Sequence, residues 1–195
     1  MFSGIIADVG EVLSIDKLTA DWTIKIKTQL DINKILIGDS VSCDGICLTV
    51  IDLGINYFVV QVSNETTKVT NISCWHEGYR INLEKSLLVG DHLNGHFVLG
   101  HVDSCGKIEN IKKERESHIF QILVPKKLNK FIANKGSIAI NGVSLTVNEV
   151  FRDFISVNII PYTWRNTNIQ YVKINSKVNI EIDLIARYIN GSMVN

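Results

Sequence analysis

Ser40-Val41-Ser42-Cys43-Asp44-Gly45-Ile46-Cys47-Leu48-Thr49-Val50 has a second copy in the same chain. It is Ser137-Ile138-Ala139-Ile140-Asn141-Gly142-Val143-Ser144-Leu145-Thr146-Val147, displaced by 97 positions. The register continues without a gap. Val60 meets Val157, Thr66 meets Thr163, Thr70-Asn71-Ile72 meets Thr167-Asn168-Ile169, and Asn82 and Glu84 meet Asn179 and Glu181. Toward the N-terminus, Gly4 and Gly10 meet Gly100 and Gly106 at an offset of 96. So long a register means duplication of a unit of about 95 residues.

Each unit reads as β. In the first, Val9 to Ile15, Thr23 to Thr28, Ser40 to Cys43, Leu48 to Leu53, Tyr57 to Val62 and Arg80 to Glu84 are short apolar or alternating runs parted by Gly, Asn and Asp. The second repeats this with Lys107 to Ile111, His118 to Val124, Ser137 to Ile140, Leu145 to Val150, Phe154 to Ile160 and Lys177 to Ile182. Asp44-Gly45 and Asn141-Gly142 signal tight turns, since both need φ > 0. Six short strands per unit suit a small closed barrel, which leaves no sheet edge exposed. The expected fold is all-β: two homologous six-stranded antiparallel Greek-key barrels with short helices and a short C-terminal helix.

The expected division is 1–95 and 96–185 for the barrels, with a linker at Lys85 to Gly95, and a tail at 186–195. Apolar spacing predicts short helices at Leu30 to Ile37 and Pro125 to Asn134, with Pro125 in a first turn. Leu184 to Ile189 is read as a helix fraying at Asn190-Gly191.

Composition narrows the function. Hydrophobic residues make up 46% of the 195, enough for real cores. Twenty Lys and Arg balance twenty Asp and Glu, which gives no electrostatic reason to expect nucleic acid or an anionic membrane. No apolar run approaches the roughly 20 residues of a membrane span. Cys43, Cys47, Cys74 and Cys105 follow no zinc spacing and read as reduced thiols of a cytoplasmic protein. No Gly-rich dinucleotide fingerprint is present, which disfavours a nicotinamide-linked flavin reductase.

Three clusters carry candidate chemistry. Alternation puts Cys47 and Thr49 on one face of a strand, and Ser144 and Thr146 on the twin's. They offer hydroxyl, thiol and backbone groups to a planar ligand; the plain structural alternative is solvent-facing β-formers. Gly95-His96-Phe97-Val98-Leu99-Gly100-His101-Val102-Asp103 holds two histidines bracketed by glycines, a setting for close backbone approach and proton transfer. Its twin near Phe2 to Ile6 has Ile5 where this one has His101, so the halves diverge there. Glu65-Thr66 with Thr70-Asn71, and Pro161-Tyr162-Thr163 with Thr167-Asn168, follow strands and open loops, where such residues also satisfy local backbone groups. Lys135 is either a surface lysine or a contact to a ribityl or phosphate oxygen. Glu84 and Glu181 read as structural.

These motifs, with the opening Met1-Phe2-Ser3-Gly4-Ile5-Ile6 and Val178-Asn179-Ile180-Glu181-Ile182-Asp183, resemble the riboflavin synthase family, α-subunit type, over nearly the whole chain. The resemblance implies two lumazine-binding barrels, usually a homotrimer, and association with lumazine synthase. It implies a dismutation of two 6,7-dimethyl-8-ribityllumazine molecules. One gives four carbons to the other, yielding riboflavin and 5-amino-6-ribitylaminouracil, with no metal or external cofactor. The family's site lies between the N-barrel of one subunit and the C-barrel of its neighbour.

Carried over by matching motif, Gly4, Ile5 and Ile6 line the N-barrel pocket with Cys47, Leu48, Thr49, Gln61, Val62, Ser63, Asn64, Glu65 and Thr66. Gly100, His101, Val102, Lys135, Ser144, Leu145, Thr146, Ile159, Ile160, Pro161, Tyr162, Thr163 and Trp164 line the C-barrel pocket. Ser40, Cys47, His101, Ser144 and Asp183 match catalytic positions, and Phe2 one important for activity. His101 is expected to transfer protons, with Ser144 and Thr146 orienting the ring. Asn141 stands where some members have Asp, and only twelve residues follow Asp183, where longer members continue a trimer helix. A non-catalytic antenna protein that binds one lumazine or flavin is the alternative; retention of the Leu-Thr-Val segment in both halves favours the enzyme.

Overall fold

The strand interiors alternate as a closed barrel requires. In Trp22–Lys27, Ile24 and Ile26 are buried while Lys25 and Lys27 turn outward; in Tyr57–Val62, Phe58, Val60 and Val62 go in and Gln61 out. The computed structural model describes residues 1–17 and 21–192. Strands β1 (Asp8–Asp16), β2 (Trp22–Lys27), β3 (Ser40–Cys43), β4 (Ile46–Leu53), β5 (Tyr57–Val62) and β6 (Arg80–Lys85) close in the order β1-β2-β5-β4-β3-β6. Strands β7 (Ser104–Glu114), β8 (Ser117–Leu123), β9 (Ser137–Ile140), β10 (Val143–Val150), β11 (Phe154–Ile159) and β12 (Lys177–Ile182) close in the same cyclic order, β7-β8-β11-β10-β9-β12, and every pairing is antiparallel.

The duplication extends to the irregularities. Bulges fall between Val12 and Ser14 and between Val50 and Asp52, and again between Ile108 and Asn110 and between Val147 and Glu149. Extra residues at matched points bend both barrels alike. Each barrel has its own core, one around Phe58 and Ile81, the other around Phe120 and Ile155.

Two predicted helices shrink to 3-10 turns, Ile32–Lys34 and Lys126–Phe131, with Pro125 capping the latter from outside. Asp31 caps the Asn33 N–H, and Ile35 is drawn into the barrel at 2% exposure, so the connector turns once and stops. Conversely, the segments read as loops after β5 and β11 form α1 (Asn64–Val69) and α2 (Pro161–Asn166). Ser63 Oγ accepts the Thr66 N–H at 3.2 Å, and Pro161 opens α2 with its φ already helical. The last helix, α3 (Leu184–Ser192), runs past Asn190-Gly191. It is tied down by Arg187, whose guanidinium meets the two Asp103 carboxylate oxygens at 2.9 and 3.0 Å.

The barrels meet tip to tip. Asp44 and Asn141 adopt positive φ of 49° and 46°, each followed by a glycine at 77°, as a type I′ turn demands. A Cβ on Gly45 would lie 2.6 Å from the Gly142 nitrogen, so only glycine lets the turns touch. Around them the asparagines exchange bonds reciprocally. The Asn71 N–H donates to Asn179 Oδ1 at 2.7 Å and the Asn168 N–H to Asn82 Oδ1 at 2.6 Å. Asn82 Nδ2 donates to the Asn141 carbonyl and Asn179 Nδ2 to the Asp44 carbonyl, both at 2.9 Å. Asn141 is thus a buried junction residue at the barrel contact, where a carboxylate base was not to be expected.

Candidate functional site

The site grows from two short segments that cross between the barrels. Glu84, buried on β6, accepts the Ser3 N–H at 2.7 Å, the Ser3 hydroxyl at 2.6 Å and the Gly4 N–H at 2.9 Å. Its twin Glu181 accepts the Leu99 and Gly100 N–H groups at 2.7 and 2.9 Å. Burial raises both carboxyls above their ordinary range, against the pull of these donors. Held there, Gly4 turns with φ of 77° and its carbonyl accepts the Ser144 N–H at 2.8 Å; Gly100, at 78°, accepts the Cys47 N–H at 2.9 Å. A Cβ on Gly4 would lie 2.6 Å from Ser144 Cβ, and one on Gly100 2.5 Å from Cys47 Cβ.

The crossing corrects the pocket pairing expected from the sequence. Gly4 stands against Ser144 of the second barrel, and Ile6 packs on that barrel's core. Gly100 stands against Cys47 of the first barrel, and Val102 packs on its core. Ile5, next to Gly4, is 46% exposed, and His101, next to Gly100, is exposed as well. The segment that carries His101 therefore runs past Cys47, not Ser144.

Ser144 has a different histidine. His96 Nδ1 lies 2.7 Å from Ser144 Oγ, with the imidazole 8% exposed and its Nε2 buried without a partner. Desolvation lowers the His96 pKa, opposed by the Asp183 carboxylate, so the ring is neutral at neutral pH. A hydroxyl bonded to a neutral imidazole can pass its proton to the ring, which suits it to nucleophile activation or proton relay. Asp183 itself accepts the Ile185 N–H at 2.9 Å at the start of α3.

Outward-facing polar residues line up along rungs of the first sheet. Ser40 pairs with Thr49, Thr49 with Gln61, and Gln61 with Thr23. On the second, Ser137 pairs with Thr146, while Ser144 lies opposite the buried Ala139. Leu48, Val62, Leu145 and Ile159 alternate with these and point into the cores, so only their backbones face the rung. Asn64, Glu65 and Thr66 sit in α1, with Thr66 Oγ1 3.0 Å from Ser63 Oγ. Ile160 precedes α2, where Pro161 to Trp164 follow; Ile160 and Tyr162 are 51% and 68% exposed, and Thr163 gives its carbonyl to Thr167. Trp164 packs inward, its indole stacked on His118 at 3.8 Å.

Lys135 occupies the position of Gly38. Both have positive φ, 65° and 95°, and their N–H groups donate to Val147 and Val50, the same partner in each barrel. A lysine where the twin has glycine carries the strain that L-residues meet in the left-handed region. Phe2 is wholly buried and bridges to Val98, donating to its carbonyl at 2.7 Å; with Ala139 they form the floor under Cys47.

Of the two histidines in the Gly95–Asp103 cluster, the residues implied by the resemblance include His101 and leave out His96, which is the one bonded to Ser144. The quoted Gly95-His96 pair held the signal: a Cβ on Gly95 would collide with the Ser3 carbonyl, so the glycine brings His96 close against the crossing strand.

The class this fold and site define is the lumazine-binding barrel. The family model for the lumazine binding domain matches twice, over residues 3–86 and 99–183. Riboflavin synthase of Brucella abortus is 42% identical over 193 residues, covering 96% of both chains. That of Photobacterium leiognathi is 39% identical over 190 residues, 97% of this chain and 87% of that protein. Among solved structures, LumP complexed with riboflavin superposes with a TM-score of 0.87 at 25% identity, over 93% of this chain and 99% of that one. The chain belongs to the riboflavin synthase family.

Proposed function

We propose that the protein is a riboflavin synthase, converting two 6,7-dimethyl-8-ribityllumazine molecules into riboflavin and 5-amino-6-ribitylaminouracil. The single observation that carries this is the pair of crossed sites, alike in backbone and unlike in chemistry. One joins Ser144 to neutral His96 with Asp183 nearby; the other sets Gly100, next to the exposed His101, against Cys47. A dismutation needs two copies of one molecule held alike, one losing a methyl proton and the other accepting a nucleophile. Orientation of the two supplies much of the acceleration. The identity of about 40% to riboflavin synthases, against 25% to LumP, favours the enzyme over an antenna protein.

In this reading Ser144 and His96 handle the proton or nucleophile at one lumazine, and Cys47, Thr49 and His101 bind and serve the other. Ser40 extends the polar rung at Thr49, Phe2 acts through packing, and Lys135 reaches the ribityl chain. The rungs and the α1 and α2 corners take the ring edges and ribityl hydroxyls. The units 1–95 and 96–185 act as a pair, the chain works as a homotrimer in the cytoplasm with sites shared between subunits, and lumazine synthase supplies the substrate in association with it.

The test is incubation of purified protein with the lumazine alone, following riboflavin by absorbance. Riboflavin formation that survives a chelator supports the reading. Tight lumazine binding without turnover points to the antenna protein instead, and activity lost to a chelator and restored by zinc would sink the metal-free scheme.

A further inference from the structure

On the flank of the barrel junction lies a cleft of about 600 Å³, within the range of small-molecule sites, roughly 300–1,000 Å³. Its walls are twin segments, one from each half. Cys74, His76, Gly78, Tyr79 and Arg80 face Tyr171, Lys173, Asn175, Ser176 and Lys177, each displaced from its counterpart by 97. The duplication therefore built a groove whose two walls match in position but not in residue.

All five facing pairs differ in residue, and the change that reverses charge lies beside the cleft, opposite Arg80 in one barrel and Lys177 in the other. In the first barrel Arg80 sits opposite Glu11 in register and pairs with it at 3.3 Å. In the second, the same two positions are Lys177 and Lys107, again directly opposite in register. Like charges facing each other across strands are destabilising, where the twin has an ion pair. Lys173 stands on the same wall, and no carboxylate lines the cleft. Among the described residues, none of these three lysines forms an ion pair. Tyr171, 55% exposed, gives the cleft an aromatic face.

We propose that this cleft binds a phosphomonoester carried on a flat heterocycle, with Lys173 and Lys177 on the phosphate, Lys107 adding charge behind them and Tyr171 against the ring. An anion there turns the facing lysines from a cost into a binding energy.

The probe is adenosine 5′-monophosphate, which carries the phosphate and ring but neither a lumazine nor a flavin. Calorimetric titration of the full chain is expected to give saturable binding that weakens with added salt, with adenosine much weaker. Lys173→Ala/Lys177→Ala should weaken the nucleotide at least about tenfold, the worth of roughly 1.4 kcal/mol. Lys177→Glu puts opposite charges in register with Lys107, the reverse of the first barrel's Glu11–Arg80 pair, so it should melt no lower than the parent and still lose binding. Turnover of the lumazine should be unchanged in both variants, which separates this site from the proposed active site. Absence of saturable binding, equal binding of adenosine, or nucleotide affinity unchanged in the variants overturns the proposal.

Discussion

Asp44 and Asn141 hold the same position in the two barrels and differ by one group. Asp44 Oδ1 accepts from the Asn82 N–H and Asn168 Nδ2, both at 2.8 Å; Asn141 Oδ1 accepts from the Asn179 N–H at 2.8 Å and Asn71 Nδ2 at 3.5 Å. Where Asn141 presents an amide, Asp44 presents its second oxygen, fully buried. Burial pushes the Asp44 carboxyl from 3.8 up to about 8, so at neutral pH it is a neutral acid mimicking its amide twin.

A pH dependence of stability follows. Between about 4 and 8 the folded chain holds a proton that the unfolded chain has lost, so stability falls as pH rises through this window. Full linkage costs about 1.4 kcal/mol per pH unit. Asp44→Asn should therefore raise the melting temperature more at pH 8 than at pH 5. Denaturation of both proteins across that range measures it; a parallel fall in both would show that the Asp44 proton is not involved.

For turnover, the His96–Ser144 bond is the sensitive element. His96→Ala and Ser144→Ala should each lower kcat by about 10²- to 10⁴-fold, and the double variant should cost little more than either alone, because the two act as a unit. Since burial lowers the His96 pKa, the acidic limb of kcat/KM should lie below the ordinary histidine range near 6.5. Steady-state kinetics over pH would decide it, and an unchanged kcat in His96→Ala would remove this histidine from the chemistry.

Lys135 bears strain that its twin avoids. Lys135→Gly should stabilise the fold by up to about 1 kcal/mol while weakening substrate binding. Measuring stability and KM on one preparation tests both; a gain in stability with unaltered KM would leave the lysine without a role at the site.

Helix α3 presents Ile185 and Tyr188, 58% and 71% exposed, one turn apart. If subunits share sites through this face, Tyr188→Lys should shift the protein toward monomer in sedimentation and lower specific activity in step. Full activity in a monomeric sample would refute shared sites.

Much of this was legible in the residues. The repeat, the Asp44-Gly45 and Asn141-Gly142 turns and nearly every strand follow from offset and alternation, because local patterning governs them. The helices α1 and α2 did not, since six residues are too few to show a helical period, and only Ser63 and Pro161 marked them. Nor did the exchange at the site. Gly4 aligns with Gly100, and linear order assigns each to its own half; that each carbonyl reaches the opposite barrel depends on Glu84 and Glu181, whose hold spans about eighty residues. The two-histidine cluster was legible, but the pairing of His96 with Ser144 was not, for the same reason: the two lie 48 residues apart.

Ile6 and Val102 each pack on the core of the other barrel. The molecule amounts to a domain-swapped dimer whose two protomers happen to be joined by a peptide bond. Cut between Leu88 and Asp91, in the exposed loop after β6, it should yield fragments that remain associated. Expressed apart, each fragment should be unstable or recruit a second copy of itself, and mixing the two should reconstitute one monomeric species by gel filtration. A single repeat built on this plan would need a second copy to supply the residue its core borrows, which the duplicated chain supplies within one polypeptide.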